Sequence, residues 1–108
     1  MDIFEISNKK GKKIRLTNFG WKHISHDHPD VSLEEIKSAI INPIKIKASK
    51  YNPEQVFWYY QFNKIRQKYL MVSVRYLNGD GFIITAYYLR NLKWKKKCIF
   101  TMIKKEII

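Results

Sequence analysis

Ser32-Leu33-Glu34-Glu35-Ile36-Lys37-Ser38-Ala39-Ile40-Ile41-Asn42-Pro43-Ile44-Lys45-Ile46-Lys47-Ala48 contains the change of period on which the fold turns. Ser32 followed three residues later by Glu35 is a capping box: hydroxyl and carboxylate each take up a backbone N–H that the first helical turn leaves unpaired. Leu33, Ile36 and Ile40 then recur at helical spacing. Asn42-Pro43 closes the run, because proline disfavours helical geometry in the residue before it. From Ile44 onward the period becomes two, the spacing of a strand. Helix gives way to sheet inside this one stretch.

Working outward, Thr17 or Asn18 can cap an earlier helix running to about His28, where Pro29 stops it. Asp2 to Ser7 and Lys13 to Leu16 alternate weakly around the basic loop Lys9-Lys10-Gly11-Lys12, so residues 1–16 read as a short N-terminal hairpin or an extended arm. Downstream, Ile44 to Ala48, Val56 to Phe62, Lys68 to Leu77 and Phe82 to Leu89 are rich in β-branched and aromatic residues and read as four strands. Asn78-Gly79-Asp80-Gly81 between the last two is a hairpin signal, since Asn, Asp and Gly tolerate positive φ. Helices followed by hairpin-linked strands predict an α+β domain. Two N-terminal helices pack on one face of a four-stranded antiparallel sheet, and the other face is left for a ligand. The 108 residues suit a single domain, with 93–108 as a basic C-terminal extension.

Lys and Arg number 21 against 9 Asp and Glu, a formal charge of +12 on a chain that is 45% hydrophobic, so the charge sits on a folded body. A basic surface can serve solubility alone, but the excess fits a polyanionic partner better. A membrane is the weaker choice: no basic amphipathic helix of useful length is present, and no apolar run approaches the roughly 18 to 20 residues of a span. Met1 to Glu5 lacks the features of a signal peptide, which predicts a cytoplasmic protein or one delivered into the cytoplasm of a target cell. Cys98 is the only cysteine and reads as a packing residue. No Gly-rich phosphate loop is present, and no cofactor is expected.

All three histidines fall within Trp21-Lys22-His23-Ile24-Ser25-His26-Asp27-His28-Pro29-Asp30. At 100° per residue Trp21, Ile24 and His28 share an apolar stripe, whereas His23, His26 and Asp27 lie on the far side. His28 then reads as a helix-end residue donating to the last carbonyls, and His23 as the better acid/base candidate. The spacing is not expected to bind a metal, because His28 is turned away and no further ligand completes four-coordination.

Basic and aromatic residues interleave through Lys45, Lys47, Tyr59, Arg66, Lys68, Tyr69 and Arg75, a mixture suited to phosphate pairing and base stacking on RNA. Strand alternation predicts that Val56, Trp58, Tyr60 and Phe62 face the helices while Phe57, Tyr59 and Gln61 face outward. Lys93-Trp94-Lys95-Lys96-Lys97 adds a positive cluster, in which Lys95 is a further RNA-contact candidate.

Trp-x-His-Ile-x-x-x-His-Pro-Asp at 21–30, the capped helix ending at Asn42-Pro43, Phe57-Trp58-Tyr59-Tyr60 and Gly81-Phe82-Ile83-Ile84-Thr85-Ala86-Tyr87 together resemble the barnase/EndoU/colicin/RelE-like nuclease group, and within it the phage-associated branch. The resemblance spans roughly residues 13–92. It implies helices before a four-stranded antiparallel sheet and metal-independent RNA cleavage, as in a toxin or phage effector. By position it implies His23 as acid/base, Arg75 as the basic strand residue, and Thr85 and Tyr87 in the Thr-Ala-Tyr strand. Asp27 stands where the resemblance leads one to expect a basic residue.

Attack of a ribose 2′-OH on its own phosphate requires a base, a proton donor for the leaving oxygen, and positive charge on the phosphorane. His23, Tyr87 and Arg75 are residues of those types, and Thr85 can hold the phosphate. The product is a 2′,3′-cyclic phosphate, which DNA cannot give. Two other readings remain at this point: a non-catalytic RNA-binding module, and an interaction domain for an acidic partner such as an antitoxin or immunity protein. The catalytic reading sets one register. A three-residue loop with a bulge at Gly81 pairs Leu77 with Gly81, Arg75 with Ile83 and Ser73 with Thr85, and so gathers Arg75, Thr85 and Tyr87 on one face.

Overall fold

Thr17 ends a strand and caps a helix at once: its hydroxyl accepts the Gly20 N–H at 3.1 Å. The computed structural model describes residues 2–90. Chain order is β1 (Asp2–Ser7), β2 (Lys13–Thr17), α1 (Asn18–Asp27), α2 (Leu33–Ile41), β3 (Lys45–Ala48), β4 (Val56–Asn63), β5 (Lys68–Leu77) and β6 (Asp80–Leu89). The capping box of α2 forms as its sequence dictates, Ser32 N–H donating to Glu35 Oε1 at 2.9 Å and Glu35 N–H to Ser32 Oγ at 3.2 Å. The basic C-terminal extension, with Lys95 and Cys98, lies outside the described residues.

The domain is α+β, but the sheet is not the expected four antiparallel strands. Among the described residues it has six, ordered β1-β2-β6-β5-β4-β3, and the β2–β6 pair is parallel. The difference lies at the N-terminus, where residues 2–17 form a hairpin that joins the sheet instead of hanging off it as an arm. Ile14 and Leu16 are fully buried, and that apolar pair fastens β2 to β6. β2 meets β6 only at Ile14–Gly81 and Arg15–Phe82.

Leu70, Val72 and Val74 of β5, with Ile83 and Ala86 of β6, pack against Ile24, Ile36, Ala39 and Ile40 of the helices. Tyr59 belongs to the same core at 2% exposure, with Phe57 packed beside it. The expected alternation of β4 is therefore reversed: Phe57, Tyr59 and Gln61 face the helix side, and Trp58, Tyr60 and Phe62 the other. Gln61 confirms the direction by donating to the Asn42 carbonyl at the end of α2, at 2.8 Å. Periodicity fixes which residues share a face. It does not fix which face is covered when both carry aromatics.

The β5–β6 turn also differs from expectation. It is a two-residue turn, with Asn78 at φ 53 and Gly79 at φ 87, and Leu77 pairs with Asp80 and Arg75 with Phe82. Between Ser73 and Val74 the register shifts and Ile84 becomes an unpaired extra residue, so that Ser73 does pair with Thr85 and Met71 with Tyr87. A bulge five residues past the turn thus does what was expected of an odd loop: Arg75, Thr85 and Tyr87 come to one face.

The β1–β2 tip curls over the helix-side surface at the turn end of the sheet. Asn8 Nδ2 donates to the Tyr59 hydroxyl at 3.1 Å, and Tyr59 and Tyr76 share a hydroxyl contact of 2.5 Å. Burial and the Tyr59 contact raise the Tyr76 phenol well above its ordinary value, so it stays protonated. Gly81 makes this closure possible. A Cβ there would lie 3.0 Å from side-chain atoms of Ile14, Tyr76 and Val74 at once. Gly81→Ala is accordingly expected to destabilise the fold by about 1–3 kcal/mol, read as a lowered urea midpoint; an unchanged midpoint would show that the packing yields freely.

Candidate nucleic-acid interface

Because β2 pairs only as far as Phe82, the second half of β6 has no strand on that side among the described residues. Helix α1 takes its place. Gly20 lets the helix approach, since a Cβ there would come within 3.3 Å of the Ile83 carbonyl oxygen. Ile24 is buried and Trp21 packs on the core, so the apolar stripe points inward as its spacing predicts. His28 caps the helix, its backbone N–H donating to the Ile24 carbonyl at 2.7 Å. Its ring lies against Tyr87, the centroids 5.3 Å apart.

The sheet face turned from the helices gathers Arg75, Ser73, Thr85 and Tyr87 with Trp58, Tyr60, Phe62 and Tyr69. Register gives the spacing. Thr85 stands opposite Ser73 and Tyr87 opposite Met71, so Arg75 and Tyr87 flank Thr85, each about 7 Å away along the strands at roughly 3.3 Å per residue. A phosphate seated over Thr85 is within side-chain reach of both. Arg75 is exposed and donates to Gln55 Oε1 at 3.3 Å. Thr85 and Tyr87 are half-buried, as are Trp58, Phe62 and Tyr69, whereas Tyr60 is only 4% exposed.

Lys45 and Lys47 sit on the same face, opposite Tyr60 and Trp58, and the Lys47 ammonium lies 5.7 Å from the centre of the Trp58 ring. Tyr59 does not join them: it is buried beneath the hairpin tip and has no surface to offer RNA. His23 is half-exposed on the outer side of α1, its Nδ1 3.3 Å from Asp27 Oδ2. His26 also reaches Asp27, at 2.9 Å, and the hydrogen bond from His26 with the charges of His23 and His28 holds the Asp27 carboxyl below its ordinary value. The imidazole that meets the Thr-Ala-Tyr strand is thus that of His28; the stripe shared with Trp21 and Ile24 was the signal for it. Among the described residues no group of three His, Cys, Asp or Glu side chains is arranged to hold a metal, and no helix is long and apolar enough to cross a membrane.

On the helix side, a concavity of about 400 Å³ opens beside α2, lined among others by Glu35, Gln61, Asn63, Ile65 and Tyr88. Glu35 Oε2 accepts from the Tyr88 hydroxyl and, at 2.8 Å, from Asn63 Nδ2. Arg66 stacks over the Tyr88 ring at 5.1 Å and stands 3.9 Å from Glu35. Arg66 is therefore part of a network that ties α2 to the β4–β5 and β6 ends, on the face opposite to Lys45 and Lys47.

No protein-family model, curated protein or solved structure matches the chain. What the chain can do chemically is therefore read from its own residues.

Burial raises the Glu35 carboxyl, but hydrogen bonds from Tyr88 and Ser32 with the charge of Arg66 outweigh it, leaving the group below its ordinary value; Tyr88 in turn is pushed up to about 12 by burial and by Glu35. A carboxyl depressed in the folded state stabilises above its unfolded pKa, and the contribution disappears as pH falls through the folded one. The urea midpoint of the wild type should exceed that of Glu35→Gln at neutral pH, and the gap should close as the pH drops below about 4. A gap independent of pH would contradict an ionised Glu35 in this network.

Proposed function

We propose that this protein is an RNA-binding domain that cleaves RNA by attack of the ribose 2′-OH on the adjacent phosphate, with its site along the second half of β6. The reading draws on the resemblance of residues 21–30 and 81–87 to the barnase/EndoU/colicin/RelE-like nucleases. The observation that carries it is the contact of the His28 imidazole with Tyr87, on the same sheet face as Thr85 and Arg75.

In this reading the imidazole of His28 accepts the 2′-OH proton, and the 2′-oxygen forms a new bond to phosphorus. The Tyr87 hydroxyl supplies the proton that leaves with the 5′-oxygen as the P–O5′ bond breaks. Thr85 donates a hydrogen bond to a non-bridging oxygen, and the Arg75 guanidinium balances the charge gathered on the phosphorane. Trp58, Phe62 and Tyr69 offer flat surfaces for flanking bases, and Lys45 and Lys47 pair with neighbouring phosphates. His23, turned outward to Asp27, is given no part in proton transfer in this reading. An acidic inhibitor of the antitoxin or immunity type would fit the same basic face.

Purified protein incubated with unstructured RNA in EDTA should leave 2′,3′-cyclic phosphate ends. His28→Ala and Tyr87→Phe should each reduce the rate by about 10²- to 10⁴-fold, and His23→Ala by much less. If the RNA is bound in a salt-sensitive manner but stays intact, the domain is a binding module and the catalytic reading is lost.

A further inference from the structure

The N-terminal hairpin carries lysine at 9, 10, 12 and 13, all exposed. Only Lys13 has an acidic neighbour among the described residues, Glu5 at 4.0 Å, and Lys12 lies over the Tyr76 ring at 5.4 Å. Three like charges on this short connection, with Lys13 directly after it, repel one another and favour an extended, fluctuating loop. The tip is instead tied into one shape. Asn8 Oδ1 accepts the backbone N–H groups of Lys10 and Lys12 at 3.0 and 2.9 Å. The Asn8 N–H donates to the Lys12 carbonyl, and the Gly11 N–H to the Asn8 carbonyl, each at 2.9 Å. Gly11, at φ 81, takes the left-handed conformation that closes the turn. The other end of the Asn8 amide is anchored on the Tyr59–Tyr76 pair inside the sheet.

We propose that this tip is a preorganised backbone-binding subsite for RNA, in which Lys9, Lys10 and Lys12 pair with successive phosphates. A lysine cluster that served solubility alone would gain nothing from a fixed backbone, whereas a polyanion binder avoids the entropy of ordering its contacts on binding. The exposed side chains at 9–13 are all lysines, so what the tip offers a partner is point charge, which matches phosphate better than it matches the mixed surface of a protein. Its location agrees. Tyr76, which the tip grips, is the neighbour of Arg75 in β5, so tip and Arg75 border the same end of the sheet from its two faces. The subsite deepens the RNA reading above and depends on RNA binding, not on cleavage.

The test separates the two. A 2′-O-methyl RNA oligonucleotide has no free 2′-OH and cannot be cut by 2′-attack, so its affinity across a salt series reports binding alone. K9Q/K10Q/K12Q should bind it roughly tenfold more weakly at low salt, with a slope of log K against log salt reduced by about 2, as for three lost single-strand phosphate contacts. K9R/K10R/K12R should restore affinity and slope, which separates charge from any effect on the hairpin. Unchanged affinity and slope in the glutamine variant would overturn the subsite and leave the catalytic reading standing. Tip-dependent binding alongside intact unmodified RNA would support the subsite and remove the catalysis.

Discussion

The short contact between β2 and β6 governs the rest of the molecule. Two residue pairs, Ile14 with Gly81 and Arg15 with Phe82, bring the N-terminal hairpin into the sheet, and beyond them the strands part. Had β2 run alongside β6 to its end, α1 would have had no place beside the Thr-Ala-Tyr segment and His28 could not reach Tyr87. Gly81 sits at the centre of this contact, where the side chains of Ile14, Val74 and Tyr76 already fill the space a Cβ would need. Arg15 adds a polar fastening on the other face, its Nε 2.9 Å from Glu5 and its Nη 3.3 Å from Asp80, joining all three strands.

Local chemistry was legible in the sequence wherever one residue decides one hydrogen bond. Ser32 and Glu35 specified the start of α2, Thr17 or Asn18 that of α1, where Thr17 is the cap, and Asn78-Gly79-Asp80-Gly81 the presence of the β5–β6 hairpin but not its loop length. The inward stripe of Trp21, Ile24 and His28 followed from helical spacing alone. What was not legible depends on contacts between distant segments. Parallel pairing of residue 14 with residue 81 leaves no local mark on β2: the alternation of Ile14 and Leu16 with Lys13, Arg15 and Thr17 fits a strand but does not name its partner. In β4, Phe57-Trp58-Tyr59-Tyr60 places aromatics on both faces, and the choice between them was made by the hairpin tip that covers Tyr59, where the partner Asn8 lies 51 residues upstream. The three aligned side chains Arg75, Thr85 and Tyr87 were foreseen as a set, but Asn78-Gly79-Asp80-Gly81 admits both a two- and a three-residue loop. The bulge at Ile84 that aligns them has no distinguishing residue type.

The two sheet faces have separated tasks. One is sealed by α1, α2 and the hairpin tip around Leu70, Val72, Val74, Ile83 and Tyr59, and it supplies the burial that holds the domain together. The other combines Lys45, Lys47 and Arg75 with Trp58, Phe62, Tyr69 and Tyr87, a surface of cations and flat rings on a rigid support. His28 stands at the edge between them, on a helix end fixed by core packing. Histidine and tyrosine positions on rigid elements suit proton transfer better than positions on a mobile loop. Among the described residues of the second face, Lys45 and Lys47 stand on the β3 edge and Arg75 toward the β5–β6 turn.

Titration of labelled protein with a 2′-O-methyl RNA oligonucleotide, followed residue by residue through backbone amide NMR shifts, tests the location of the site most directly. The largest shifts should fall on Ser73, Thr85, Tyr87 and His28, with Arg75 and the tip lysines following. Shifts confined to the outer surface of α2, around Glu34 and Lys37, with β6 unmoved, would contradict the account.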